Sequence, residues 1–273
     1  MTALALLAVA LGAGSVAVAT TTEQARGAYV ALGDSYVSGP GVPNQRPDAG
    51  LCSRSDNNYP SLVARAVNPA AFTDASCSGA VTGDVLESQV GALRPDTALV
   101  TLSIGGNDAG FAPNIAICVV LGLLNSGGAP CRAHFTSGGV DRLAQTVDAV
   151  GPKVGTVLTA IRQRAPRARV LLVGYPALLP KSKEQCTVDQ PIATGDIPYL
   201  RAINEQLNRV LADQAAAAGV TFVDTFTSSL GHDACQAAGV RFVEGILGAT
   251  GAAPVHPNAL GMRDMADQVL AAL

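Results

Sequence analysis

Four short stretches of the chain hold the side chains that acyl transfer requires. They are Gly33-Asp34-Ser35-Tyr36, Cys77-Ser78-Gly79, Gly105-Gly106-Asn107-Asp108 and His256-Pro257-Asn258. A serine hydroxyl is a weak nucleophile until a base takes its proton, and Ser35 with His256 would make such a pair. The tetrahedral intermediate of acyl transfer carries an oxyanion that needs preorganised donors. The Asn107 amide and the backbone N–H groups of Ser35 and Gly79 would supply them, and glycine at 79 lets the backbone approach a substrate closely. Each residue also has a plainer reading. Ser35 would cap a helix beginning at Tyr36, Gly105 to Asp108 are all turn formers, and His256 would be a surface loop residue like His134 and His232. Asp34 and Asp108 flank the serine and the amide and are read as structural hydrogen-bonding groups. The four stretches together favour chemistry. The glycines do not form a phosphate loop, because no Gly-Lys-Ser or Gly-Lys-Thr follows them.

For these residues to meet, they must lie at one rim of a sheet. Residues 29–32 read as a short buried strand ending at Gly33, 71–73 as a weaker one, and 98–104, 169–173 and 220–223 as three more. Between the third and fourth, Leu143, Val147, Val150, Val154, Val157 and Ile161 recur at steps of three and four, which predicts one helix stopped by Pro166. A second helix is predicted from about Pro198 to a cap at Gly219, and a last one from Asn258 to the C-terminus. Strands alternating with helices imply parallel pairing through right-handed crossovers, hence a three-layer α/β/α domain. Ligands of such sheets bind beyond the carboxyl ends of the strands, where all four stretches fall. The irregular stretches 38–58, 109–139, 176–197 and 225–257 are long enough to carry function, and each contains a cysteine. Within the second, residues 115–124 read as a core helix or as a wall for an acyl group. No linker or repeat divides the chain, so residues 20–273 are read as one domain.

Composition narrows the function classes. The chain has 273 residues, 48% of them hydrophobic and 14% charged, with a net charge of −3. That excludes disorder and argues against a nucleic-acid partner or a polybasic membrane anchor. A mean hydropathy of +0.30 calls for a search for membrane segments. Residues 2–22 lack charge, and the apolar run 3–11 is too short to span a bilayer but suits a signal peptide. Ala17-Val18-Ala19 matches a small-x-small cleavage site, although no Lys or Arg precedes the run. Residues 1–19 are therefore read as a signal peptide, the mature protein as secreted, monomeric and without a stable membrane span. The six cysteines would then meet an oxidising compartment. Sequence alone leaves their pairing open, but they fall into neighbours: Cys52 with Cys77, Cys118 with Cys131, Cys186 with Cys235. A metal site is the weaker reading, because no Cys-x-x-Cys or His-x-x-x-His spacing exists.

The four stretches, in their order and spacing and with the three cysteine pairs, resemble the SGNH (GDSL) hydrolase family. They are most similar to its secreted, disulfide-bonded actinomycete lipases and esterases. The resemblance covers essentially the whole mature chain. It implies a flavodoxin-like, five-stranded parallel sheet and ester hydrolysis without metal or other cofactor. It also implies Ser35 as nucleophile, Ser35, Gly79 and Asn107 as oxyanion donors, and His256 as base. Most of the family has an acidic residue three positions before the histidine, where this chain has Ala253. The relatives nearest to this sequence lack it too and use a backbone carbonyl. The carbonyl of Ala253 or Pro254 is thus expected to fix the imidazole tautomer, with Asp224 as the lesser alternative. The expected protein is a secreted carboxylic-ester hydrolase with a Ser-His dyad, acting on lipid or simple acyl esters. A carbohydrate acetylesterase is the runner-up, disfavoured because aromatics are only 4% of the chain. A catalytically inactive exported binding protein is the alternative from another class.

Overall fold

Five runs of aliphatic and β-branched residues pair in parallel: β1 (Ala28–Gly33), β2 (Ala71–Asp74), β3 (Thr97–Ser103), β4 (Arg169–Val173) and β5 (Thr221–Val223). The computed structural model describes residues 27–273, so the expected signal peptide at 1–19 lies outside the described residues. Strand order is β2-β1-β3-β4-β5, the flavodoxin-like, doubly wound order. The winding direction reverses between β1 and β3, which opens a crevice beyond their carboxyl ends. Those ends are level, since Gly33 pairs with Ser103.

Both faces of the sheet are covered, so the strands are apolar throughout rather than alternating. One face presents Val30, Leu32, Val100, Leu102 and Leu172 to a core shared with four helices. These are α3 (Phe111–Leu124), α5 (Arg142–Asp148), α6 (Val150–Arg164) and α7 (Asp196–Ala218). The other face presents Tyr29, Ala31, Leu99, Leu171 and Val173 to α2 (Tyr59–Val67) and α8 (Ala259–Ala271). Two short helices complete the frame, α1 (Ser35–Ser38) and α4 (Pro130–Thr136). Local chemistry sets the helix ends. Asn58 and Asn258 each accept backbone N–H bonds at the starts of α2 and α8. Gly219, at φ 62°, closes α7 in the left-handed conformation its sequence position predicts.

Three expectations are corrected. The single helix expected from Leu143 to Pro166 bends at Ala149 into α5 and α6, although its apolar stripe stays buried across the bend. Within residues 109–139, read as irregular apart from the helix or wall at 115–124, α3 starts four residues earlier at Phe111 and α4 follows it. Strand β3 is displaced by one residue from 98–104, and β5 is shortened by one from 220–223, because Val220 instead donates its N–H to Ala215 O in the α7 cap. Disulfides join Cys52 to Cys77, Cys118 to Cys131 and Cys186 to Cys235. Among the described residues, no helix is long and apolar enough to cross a membrane.

Candidate active site

The crevice between β1 and β3 is built from their last residues. Gly33 has φ +142°, and a Cβ there would sit 2.2 Å from Ser103 O, so only glycine lets the two strand ends close up. The Gln89 side chain holds both backbone groups of Gly33, accepting its N–H at 2.7 Å and donating to its carbonyl at 2.9 Å. Asp34 N–H then donates to Ser103 O at 3.1 Å, which turns the chain sharply into α1. Asp34, not Ser35, caps that helix, accepting from Tyr36 N–H at 2.9 Å. Ser35 therefore occupies the first helical position with its side chain free of capping.

His256 reaches this point from 221 residues away. Its Nε2 lies 2.8 Å from Ser35 Oγ, and its Nδ1 lies 2.8 Å from the Pro254 carbonyl. A carbonyl only accepts, so Nδ1 carries the proton and Nε2 is left to accept from the serine. Of the two carbonyls expected to serve, Ala253 instead accepts the His256 backbone N–H at 3.2 Å. Asp224 is engaged elsewhere, capping residues 225–228 through Phe226 N–H, Thr227 N–H and the Thr227 hydroxyl. Burial pushes the imidazole below its ordinary pKa, against the raising effect of the Pro254 bond, so the ring is held neutral.

Of the expected oxyanion donors, Ser35 and Asn107 line one cavity with His256. Among the described residues, neither the Ser35 nor the Gly79 backbone N–H is bonded to a protein acceptor. Gly79 has φ +84° with nothing within 4 Å of where a Cβ would stand. Cys77 ties this segment to β1 by donating its N–H to Gly33 O at 3.0 Å, and its disulfide to Cys52 ties it to the loop before α2. Asn107 donates one amide hydrogen to Ala80 O at 2.9 Å, which orients the other. Asp108 is structural. It accepts from Thr82 N–H and hydroxyl at 2.9 and 2.7 Å and lies 3.4 Å from Lys153 Nζ.

Sequence reasoning missed three residues that hold the site together. Tyr175, at the end of β4, accepts Gly106 N–H at 2.9 Å and donates its hydroxyl to Asp34 at 2.5 Å. It thus binds the asparagine block to the serine block. Tyr36 donates its hydroxyl to Val255 O at 2.5 Å and packs its ring 5.2 Å from that of His256. Glu244 pairs backbone groups with the histidine segment, donating its N–H to His256 O and accepting Val255 N–H. Only the strand-end position of Tyr175 was a signal available beforehand. Burial raises the Asp34 carboxyl to about 7, opposed by its bonds from Tyr175 and Tyr36 and reinforced by nearby Asp108.

A cavity of about 1020 Å³, open to solvent, is lined by Ser35, Asn107 and His256 together with aliphatic walls that include Leu143, Val147, Leu178, Ile192 and Leu207. Among the described residues, no group of three or more His, Cys, Asp or Glu is clustered as metal ligands would be. The arrangement provides a hydroxyl hydrogen-bonded to an imidazole, with the Asn107 amide and an apolar chamber beside them.

The GDSL-like lipase/acylhydrolase family model matches residues 31–263. Lipase 2 of Streptomyces coelicolor is 42% identical over 253 residues, covering 89% of this chain and 84% of that one. The solved phospholipase A1 of Streptomyces albidoflavus shares the fold with a TM-score of 0.77 and 32% identity, over 90% of this chain and 99% of that one. An extracellular lipase of Streptomyces rimosus gives the same TM-score and identity, over 90% of this chain and 100% of that one.

Proposed function

The chain belongs to the GDSL-like lipase/acylhydrolase family and is an ester hydrolase, and from that premise we propose a secreted enzyme that cleaves lipid acyl esters through a Ser35 acyl-enzyme. The observation that carries the reading is the 2.8 Å approach of His256 Nε2 to Ser35 Oγ, with Nδ1 fixed by the Pro254 carbonyl. Ser35 Oγ adds to the ester carbonyl while its proton passes to Nε2. The carbonyl oxygen becomes an oxyanion that the Ser35, Gly79 and Asn107 N–H groups would stabilise. Collapse expels the alcohol, protonated by the imidazolium. Water activated by the same imidazole then adds to the acyl-enzyme, and the acid leaves. Among the described residues, no carboxylate is hydrogen-bonded to the imidazole, which supports a Ser-His dyad.

The chamber favours an acyl chain over a sugar ring, since aliphatic side chains, among them Leu143, Val147, Leu178 and Leu207, outnumber the aromatic ones in its lining. Secretion, with residues 1–19 removed, is supported by three disulfides and by the extracellular Streptomyces rimosus relative. The test is turnover of p-nitrophenyl esters of increasing chain length by the wild type and by Ser35→Ala. The expected loss in Ser35→Ala is at least about 10⁴-fold in kcat. No turnover by the wild type, or equal turnover by both, would sink the acyl-enzyme reading.

A further inference from the structure

Helix α3 differs from its neighbours in what it shows to solvent. Helix α6 turns Lys153, Arg162 and Arg164 outward, and α7 turns out Arg209 and Asp213. Helix α3 reads FAPNIAICVVLGLL and contains no charged residue. Its inward side is fully used. Cys118 is buried in its disulfide to Cys131, and a Cβ on Gly122 would stand 2.9 Å from Ala193 N. Its outward side is aliphatic as well, with Val120 58% exposed, Leu123 70% and Leu124 80%, continued by Ile117.

A helix apolar all round is ordinarily buried on every side. Fourteen residues make a rod of roughly 21 Å, too short for a membrane core of roughly 30 Å. The stripe must therefore be covered from one side only. A second copy is a poor cover. A strip of about 21 by 10 Å buries roughly 200 Å² per partner, against about 800 Å² in a stable dimer. It also lacks the aromatic, Met and Arg anchors of protein interfaces. A lipid layer asks only for apolar area.

The stripe is also continuous with the acyl chamber. Phe111, Ala112 and Ile115 in the first turns of α3 line it, and Ala112 is exposed, so the chamber opens beside this helix. Ile246 lines the chamber too, and its neighbour Leu247 is 62% exposed. Gln190 accepts the N–H groups of both, and residues 191–193, next in the chain, pack under Gly122. We propose that the outward stripe of α3, extended by Leu247, is the surface on which the protein docks to a lipid layer, so that an ester passes from the layer into the chamber. The docking face rests on the ester-hydrolase reading only for what the chamber receives.

Flotation with phosphatidylcholine vesicles tests it, using Ser35→Ala so that the lipid stays intact. Protein is expected to float with the vesicles, equally from about 0.05 to 0.5 M salt, because apolar docking is not screened. Adding Val120→Gln, Leu123→Gln and Leu124→Gln, which keep helix-forming residues, should lower the partition more than about tenfold. The same triple substitution in the Ser35 protein should leave turnover of soluble p-nitrophenyl acetate within about twofold of the wild type. The chain has no tryptophan, so Val120→Trp gives a single emitter whose emission should shift to the blue on vesicles. Leu260→Trp, on α8 across the sheet, should not shift. Unchanged flotation of the triple variant, or no flotation of Ser35→Ala, overturns the proposal. So does a dimer in sedimentation velocity that the triple substitution dissociates. Loss of soluble-ester turnover in the wild type would instead fall on the Ser35 reading, while flotation of Ser35→Ala would still decide the docking face.

Discussion

The two halves of the Ser35–His256 pair are held by different physics. On the serine side, the position follows from the sheet. Gly33 ends a central strand, Gln89 grips its backbone, and Asp34 N–H bonds to the neighbouring strand end. On the histidine side the sheet is absent, and the segment is fastened by a single antiparallel bridge between Val243 and Pro257. A buried polar cluster takes the place of strands. Glu244 accepts from Arg241, from Thr250 N–H at 3.1 Å and from Asn258 at 2.9 Å, and its backbone brackets His256. Val255 stands at φ 60°, a conformation that costs a β-branched residue roughly 1–3 kcal/mol. That turn aims the Pro254 carbonyl back at Nδ1, and bonds from Tyr36 and to Glu244 hold it. The serine position is thus inherited from a strand end, whereas the histidine position requires a dedicated network.

The contrast can be broken at either side. Gly33→Ala should have the largest effect, above about 4 kcal/mol in thermal unfolding, because its methyl meets Ser103 O at 2.2 Å. A melting temperature within a few degrees of the wild type would show that the strand ends are not closed on one another. Glu244→Ala leaves the Arg241 guanidinium buried without its partner, and should cost about 3 kcal/mol. Glu244→Gln, which keeps an acceptor, should recover part of it. Equal stability of both variants and the wild type would remove the polar cluster from the account.

Tyr175→Phe bears on the link between blocks, taking a donor from Asp34 and an acceptor from Gly106. A loss of about 1–3 kcal/mol should emerge as a kcat lowered about tenfold or more with KM nearly unchanged. A change in KM alone would assign the tyrosine to the chamber wall. A further test is the pH response of stability, where the sides should carry opposite signs. Asp34 is raised to about 7, so it binds more protons folded than unfolded, and its contribution falls as pH rises from about 4 to 7. His256 is lowered, so it binds fewer protons folded, and its contribution is lost as pH falls below about 6.5. Melting temperatures across this range should show Asp34→Asn removing the first slope and His256→Gln the second. Slopes of the same sign would contradict this account of the burial.

The parts legible in the sequence are those whose reason is local. Glycine, aspartate and serine at the end of an apolar strand announce a turn and a hydroxyl, and strand-helix alternation announces the layers. Helix α3 was legible only as the apolar run 115–124, because a helix without a polar face has no periodicity to mark where it starts. The break at Ala149 was hidden for the converse reason, since the apolar stripe runs on through it. Tyr175 acts on Asp34, 141 residues away, and Glu244 acts through an irregular loop with no periodicity to read. Nothing around either residue hints at these contacts. Asp224, attractive as an acid after a strand, is occupied by the short helix it caps.

The carbonyl behind His256 has a consequence for the timing of the proposed reaction. An imidazolium backed by a neutral oxygen holds its proton less firmly than one backed by a carboxylate. The ring is thereby a poorer acceptor from Ser35 and a more willing donor to the departing alkoxide. The free-energy profile is tilted, with a steeper climb into each tetrahedral adduct and an easier descent out of it. Addition, not expulsion, then governs the rate, and turnover responds to how electrophilic the ester carbonyl is more than to how stable its alcohol becomes once released.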